Sequence, residues 1–142
     1  MQLGDCVLKP RKSSHSVFSV HLHLVFVTHY RRKVLTKEMI VRLGEMLEQV
    51  AKKLDCFILE FNGEPDHVHI LLDLHPKNAI STVVACLKSS TARMLKKEFP
   101  QEVKKYYWGK VSFWSGSYYV ASTGGATIEK LKEYIKNQEG GK

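Results

Sequence analysis

Between Val17 and Val27 the chain alternates with a period of two, and both faces of the alternation carry apolar residues. Val17, Ser19, His21, His23, Val25 and Val27 fall on one face, and Phe18, Val20, Leu22, Leu24 and Phe26 on the other. Successive side chains of a strand point to opposite sides of a sheet, so this pattern predicts one long strand partly covered on each side. Such a strand is not stable alone, and the rest of the chain must supply its partners.

The following segments read as those partners. Tyr30-Arg31-Arg32-Lys33 ends the strand with a cluster of charge. Thr36 reads as an N-cap, and Met39, Leu43, Met46, Leu47, Val50 and Leu54 recur at the spacing of an amphipathic helix of about five turns. Cys56 to Phe61 reads as a second strand, Asn62-Gly63-Glu64-Pro65-Asp66 as a turn, and His67 to Leu74 as a third strand closing a hairpin. Asn78 begins a second helix with Ile80, Val83, Val84, Leu87, Met94 and Leu95 as its apolar positions, and Pro100 closes it. Tyr106 to Tyr119 holds seven of the fourteen aromatics and reads as one or two short strands around a turn. Ser122-Thr123-Gly124-Gly125 is expected to be a flexible joint. Ile128, Leu131 and Ile135 mark a final short helix, with Thr127 as its N-cap. This order predicts an α+β, ferredoxin-like (RRM-like) antiparallel sheet with helices on one face, plus a C-terminal helix.

Length and composition narrow the class. A chain of 142 residues suits one domain, and 44% apolar with 25% charged residues is an ordinary globular balance. Residues 1 to 14, polar and basic with Pro10, read as a flexible arm on that domain. No run approaches the roughly eighteen apolar residues of a membrane helix, and the N-terminus lacks a signal-peptide pattern. Cys6, Cys56 and Cys86 are odd in number and far apart, as reduced thiols of a cytoplasmic protein would be. The net charge of +8 attracts polyanions, of which nucleic acid is the commonest in a cell.

Three groups of residues could carry chemistry. Two histidine pairs, His21/His23 and His67/His69, stand at i, i+2. On a strand that spacing puts both imidazoles on one face, roughly 6.6 Å apart at the backbone, close enough to share an ion bound at about 2.1 Å. Geometry alone does not choose between the pairs. Context favours the second, because Asp66 precedes it and Glu60 lies on the expected hairpin partner, where carboxylates can orient a ligand. His21 and His23, mid-strand among hydrophobic neighbours, read better as structural. Tyr134 lies on the last helix with Gln138 on the same side. Periodicity alone makes Tyr134 a core-edge residue; as a nucleophile, a phenol of pKa about 10 would need a nearby cation or base. Gln138 could add an amide oxygen to two imidazoles. Arg31, Arg32, Lys33, Lys88, Arg93 and Lys110 supply phosphate contacts, and the aromatic block offers stacking surfaces beside charge.

Together these residues resemble the single-tyrosine HUH transposases (TnpA) of small bacterial and archaeal insertion sequences. The resemblance rests on Tyr30-Arg31-Arg32-Lys33, Glu64-Pro65-Asp66-His67-Val68-His69, Leu87-Lys88-Ser89-Ser90, Trp108-Gly109, Phe113-Trp114-Ser115, Ser117-Tyr118-Tyr119, Ser122-Thr123-Gly124-Gly125 and Tyr134-Ile135-Lys136-Asn137-Gln138, in order from about Val17 to Gln138. It implies that His67, His69 and Gln138 bind Mg²⁺ or Mn²⁺. It implies that Tyr134 attacks single-stranded DNA to give a 5′-phosphotyrosine and a free 3′-hydroxyl. It further implies recognition of DNA hairpins and a homodimer in which Tyr134's helix packs on the partner's histidine strand, so that sites can be shared, with Gly124-Gly125 as its hinge. Three rival readings remain: a non-catalytic nucleic-acid-binding module, a phosphodiesterase in which water attacks, and a domesticated relative acting on host repeat hairpins.

Overall fold

The computed structural model describes residues 11–12, 17–122 and 135–137. The expected long strand is divided. Arg11–Lys12 (β1) and Val17–Phe18 (β2) form a small antiparallel ribbon, and His21–Val27 (β3) begins again two residues later. The break comes where the chain changes partner: Phe18 pairs with Arg11, whereas His21 pairs with Asp73. Arg11, expected within the arm, lies over the rings of Phe18 and Phe57.

Lys37–Lys53 (α1) starts where Thr36 accepts a hydrogen bond from Met39 N at 3.1 Å, and buries Met39, Leu43, Met46, Leu47 and Val50. Phe57–Glu64 (β4) and His67–Asp73 (β5) form the hairpin, and its turn is shorter than expected. Glu64 pairs with His67, so only Pro65 and Asp66 lie outside the ladder, and Asn62-Gly63-Glu64 belongs to the strand. Gly63 is there for space: a Cβ on it would stand 2.6 Å from Ile40 Cγ2 of α1. Ile80–Glu98 (α2) begins after Asn78, whose amide is spent on Leu54 O at 2.6 Å. Pro100 opens a second short helix, Pro100–Lys104 (α3), at a first-turn position where its missing N–H costs nothing. The aromatic segment is mostly irregular. It touches the sheet through one bridge, Thr28 to Trp114, and ends in Tyr119–Ser122 (β6).

The strands lie in the order β4-β5-β3-β6, all neighbours antiparallel, which is the ferredoxin-like arrangement. Leu22, Leu24 and Phe26 of β3 and Val68, Ile70 and Leu72 of β5 form one core with the apolar faces of α1 and α2. Phe113 and Trp114 close one end of it. The indole N–H of Trp114 donates to Thr91 Oγ1 at 3.1 Å, so the buried ring leaves no polar atom unpaired. The opposite face of the sheet carries the histidines. On it Val25 and Val27 are fully buried in a second, small cluster with Ile135, against which Tyr119 packs.

Ile135, Lys136 and Asn137 are helical, as expected for the last helix. Thr127, the Gly124-Gly125 joint, Tyr134 and Gln138 lie outside the described residues. Among those described, no helix is long and apolar enough to cross a membrane.

Gly63 supplies a test of this packing. Gly63→Ala forces Ile40 and α1 away from the sheet, and overpacking of this kind costs about 1–3 kcal/mol. Urea unfolding of the variant should show a lower midpoint with an unchanged slope; an unchanged midpoint would mean that the contact yields freely.

Candidate active site

His67 and His69 are the first and third residues of β5, both half-buried on the sheet face away from α1 and α2. Their ring centroids are 5.0 Å apart and their planes meet at 82°. The register sets them against Val27 and Val25 on one side and against Glu64 and Asn62 on the other. On β4 the carboxylate opposite the pair is therefore Glu64, not Glu60. Glu60 pairs with Leu71, further along the strand, because the short turn moves the whole of β4 relative to the expected alignment.

Asp66, only 7% exposed, occupies the hairpin turn. Its Oδ1 lies 2.8 Å from His67 Nδ1, and its Oδ2 accepts from Arg31 Nε at 2.7 Å. A carboxylate at Nδ1 favours the tautomer that donates from that nitrogen, which leaves Nε2 with a lone pair for a metal. Burial pushes the Asp66 carboxyl up, but the hydrogen bonds and charges of Arg31 and His67 overcome it and hold the group below its ordinary value. Asp66 is thus ionised at neutral pH. The His69 pKa is pushed down, first by burial and then by the charges of His67 and His23, against the pull of Glu64. A neutral imidazole is the form that ligates.

The loop after β3 brings Arg31 to Asp66. Tyr30 and Arg31 both have positive φ, 58° and 54°, a left-handed conformation unusual for side chains of this size. Neighbouring bonds hold it there. Thr28 N donates to Asp66 O at 3.0 Å, the Thr28 hydroxyl donates to Arg32 O at 2.6 Å, and His29 N donates to Phe113 O at 2.8 Å. The sequence pointed to Asp66, but nothing in it marked Arg31 as the partner that keeps Asp66 charged.

The other expected residues fall in several places. His21 and His23 share the sheet face with the second pair, and His21 stands opposite Asp73, so its surroundings are not only hydrophobic. Arg31 is engaged by Asp66. Lys88 is half-buried, its pKa pushed down by burial, and it donates to the carbonyls of Ser115 at 2.6 Å and Ser117 at 3.2 Å. Arg32, Lys33, Arg93 and Lys110 are exposed. Tyr107 is buried, donates to His29 O at 2.6 Å and has its pKa pushed up to about 12, which makes it a poor nucleophile. Among the described residues no trio of His, Cys, Asp or Glu converges on one point. The pair is suited to a divalent ion by its oriented Nε2 and neutral partner, but a third ligand must come from elsewhere.

Comparison with known proteins places this geometry in a family. Residues 16–138 match the model of the IS200-like transposases. The chain is 30% identical over 131 residues to the ISDra2 transposase TnpA of Deinococcus radiodurans, covering 92% of each chain. It is 31% identical over 125 residues to the transposase for insertion sequence element IS200 of Salmonella typhimurium, covering 88% of this chain and 80% of that one. The crystal structure of a candidate transposase from Deinococcus radiodurans R1 superposes with a TM-score of 0.82 at 29% identity, over 91% of this chain and 98% of that chain. A REP-associated tyrosine transposase bound to a REP hairpin shares the fold, with a TM-score of 0.52 at 11% identity over 87% of this chain and 68% of that one.

The Arg31–Asp66 contact has a pH signature. A depressed carboxyl pKa stabilises the fold above the unfolded-state value of about 4 and loses that contribution as pH falls through the folded value. With chelator present, Arg31→Gln should be less stable than the parent by about 1–3 kcal/mol at neutral pH, the cost of a buried carboxylate losing a partner. The gap in urea midpoint should close as Asp66 protonates in acid. A gap that stays constant with pH would contradict the assignment.

Proposed function

The chain belongs to the IS200-like transposase family, and on that premise we propose that it cuts and rejoins single-stranded DNA at insertion-sequence ends through a 5′-phosphotyrosine on Tyr134. The observation that carries this reading is the position of Ile135. The residue after Tyr134 is buried against Val25 and Val27, and these pair directly with His69 and His67. The short helical stretch from Ile135 to Asn137 therefore meets the histidine face of the sheet.

His67 through Nε2, His69 and Gln138 would hold Mg²⁺ or Mn²⁺. When bound, the ion polarises the scissile phosphate as a Lewis acid. Asp66 and Arg31 keep His67 in its ligating tautomer throughout. The Tyr134 oxygen forms a bond to phosphorus, the P–O3′ bond breaks, and the phenolic proton passes through solvent to the departing 3′ oxygen. Attack by a different 3′-hydroxyl reverses the step and rejoins strands, with the phosphodiester's energy conserved in the tyrosyl ester.

Recognition of DNA hairpins is proposed on the strength of the family, and the fold neighbour bound to a REP hairpin is in keeping with it. The exposed Arg32, Lys33, Arg93 and Lys110 are the proposed phosphate contacts. The protein is proposed to act in the cytoplasm as a homodimer. Ile135 meets the sheet of its own chain here, and the same helix could dock on a partner's Val25 and Val27 to share a site.

Tyr119 offers the specific alternative nucleophile, since it pairs with Val25 on the same face. Incubation with a labelled single-stranded hairpin and Mn²⁺ should give an adduct that survives denaturing electrophoresis. Tyr134→Phe should abolish it, His67→Ala should reduce it by at least about a hundredfold, the upper end of what losing even a ligand's supporting partner costs, and Tyr119→Phe and His21→Ala should retain it. Cleavage persisting in Tyr134→Phe would favour attack by water, and no cleavage with any metal would favour a binding module.

A further inference from the structure

Much of the aromatic segment that follows α3 packs into the protein. Tyr107, Phe113 and Trp114 are buried, and Tyr118 and Tyr119 are half-buried. Two rings are exposed, Tyr106 at 39% and Trp108 at 69%, and the indole is the largest apolar side chain left so open among the described residues. Gly109 follows it with a φ of 66°, a left-handed turn natural to glycine, and a Cβ there would meet nothing within 4 Å. The indole is thus presented to solvent by a turn. Leaving it uncovered forgoes burial that an indole normally finds in a core or an interface.

Trp108 forms one wall of a groove of about 350 Å³, whose floor includes Val103 and Tyr107. Lys96 and Lys104 stand in its lining, and no carboxylate does among the described residues. Lys96 is fixed there by donating to Val111 O at 3.1 Å, which leaves two of its ammonium protons for another acceptor. Exposed Lys105 and Lys110 flank the tryptophan in the chain, one before it and one after. A planar apolar wall with a rim of one charge sign suits a planar apolar ligand joined to an anion. An unpaired nucleobase with its phosphate has this chemistry.

The groove is also tied to the histidine pair. Tyr107, next to Trp108, donates its hydroxyl to His29 O, and the preceding residue, Thr28, donates its N–H to Asp66 O. Both features therefore lie at the end of the sheet where β3 meets the β4–β5 turn.

We propose that the Trp108 groove is a stacking site for one unpaired base of the DNA, held by the indole with the adjoining phosphate on Lys96 and Lys104. This rests on the reading that single-stranded DNA is the substrate. It assigns base stacking outside the metal site to one residue.

The test is binding by the full chain, with chelator present so that no strand is cut, to a labelled unstructured single strand and to a blunt duplex of equal length. Trp108→Ala should weaken single-strand binding about tenfold, within the range for loss of one stacked base. Trp108→Phe should recover most of the loss, and duplex binding should be the same for all three proteins. Trp108→Ala that binds the single strand like the parent, or loses as much on the duplex, overturns the proposal. Adduct formation by Trp108→Ala at saturating hairpin separates the two readings. Parental adduct with no change in single-strand affinity refutes the groove alone. Absence of any adduct from the parent refutes the chemistry, while the affinity ratio still decides the groove.

Discussion

The pairing of β3 with β5 is the constraint on which the rest depends. Its register runs unbroken from His21 opposite Asp73 to Val27 opposite His67. Because side chains alternate strictly, that register sorts both strands at once. Leu22, Leu24 and Phe26 meet Leu72, Ile70 and Val68 beneath the helices, and the histidines are left on the other face beside Val25 and Val27. A slip of one residue would place imidazoles under α1 and α2 and expose the core. Burying a polar ring without a partner costs several kcal/mol on the scale of roughly 2–7 for an unsatisfied amide or hydroxyl, so the alternative is excluded by solvation alone.

The frame of the candidate site is built on that register and adds strain to it. Left-handed Tyr30 and Arg31 each cost about 1–3 kcal/mol. The loop keeps this shape because Thr28 is bonded to the hairpin turn, His29 to the aromatic segment, and Arg32 back to Thr28 and His29. What the strain gains is a guanidinium on Asp66, and through Asp66 a fixed orientation for His67. Lys88 does comparable work on the other side of β3, where its ammonium gathers the carbonyls of Ser115 and Ser117. Two side chains that composition assigns to DNA are thereby occupied in shaping the protein.

Much of this was legible in the sequence, and the exceptions have physical reasons. The helices, the hairpin, the sheet and the Thr36 cap follow from periodicity and local hydrogen-bonding chemistry. Asn62-Gly63-Glu64 imitates a turn by composition, yet Gly63 is required by the approach of Ile40, a contact invisible until α1 is placed. Asn78 resembles a helix start, but its side chain reaches back to Leu54. Pro100 reads as a stop and is also a start, since the first turn of a helix tolerates it. Positive φ at Tyr30 and Arg31 had no glycine to announce it. His67 and His69 could be preferred to His21 and His23 from Asp66 alone, whereas the reason Asp66 matters required Arg31, a residue thirty-five positions away in sequence. Tyr134 and Gln138 rest on the family pattern and on Ile135.

The proposed nucleophile served by the histidine face is Tyr134, the residue beside Ile135. The most direct measurement is mass spectrometry of the nuclease-trimmed, trypsin-digested protein–DNA adduct. The account predicts the nucleotide on the peptide Glu133–Lys136, which contains Tyr134 as its only tyrosine. A nucleotide on the peptide carrying Tyr118 and Tyr119, or on a histidine, would contradict it.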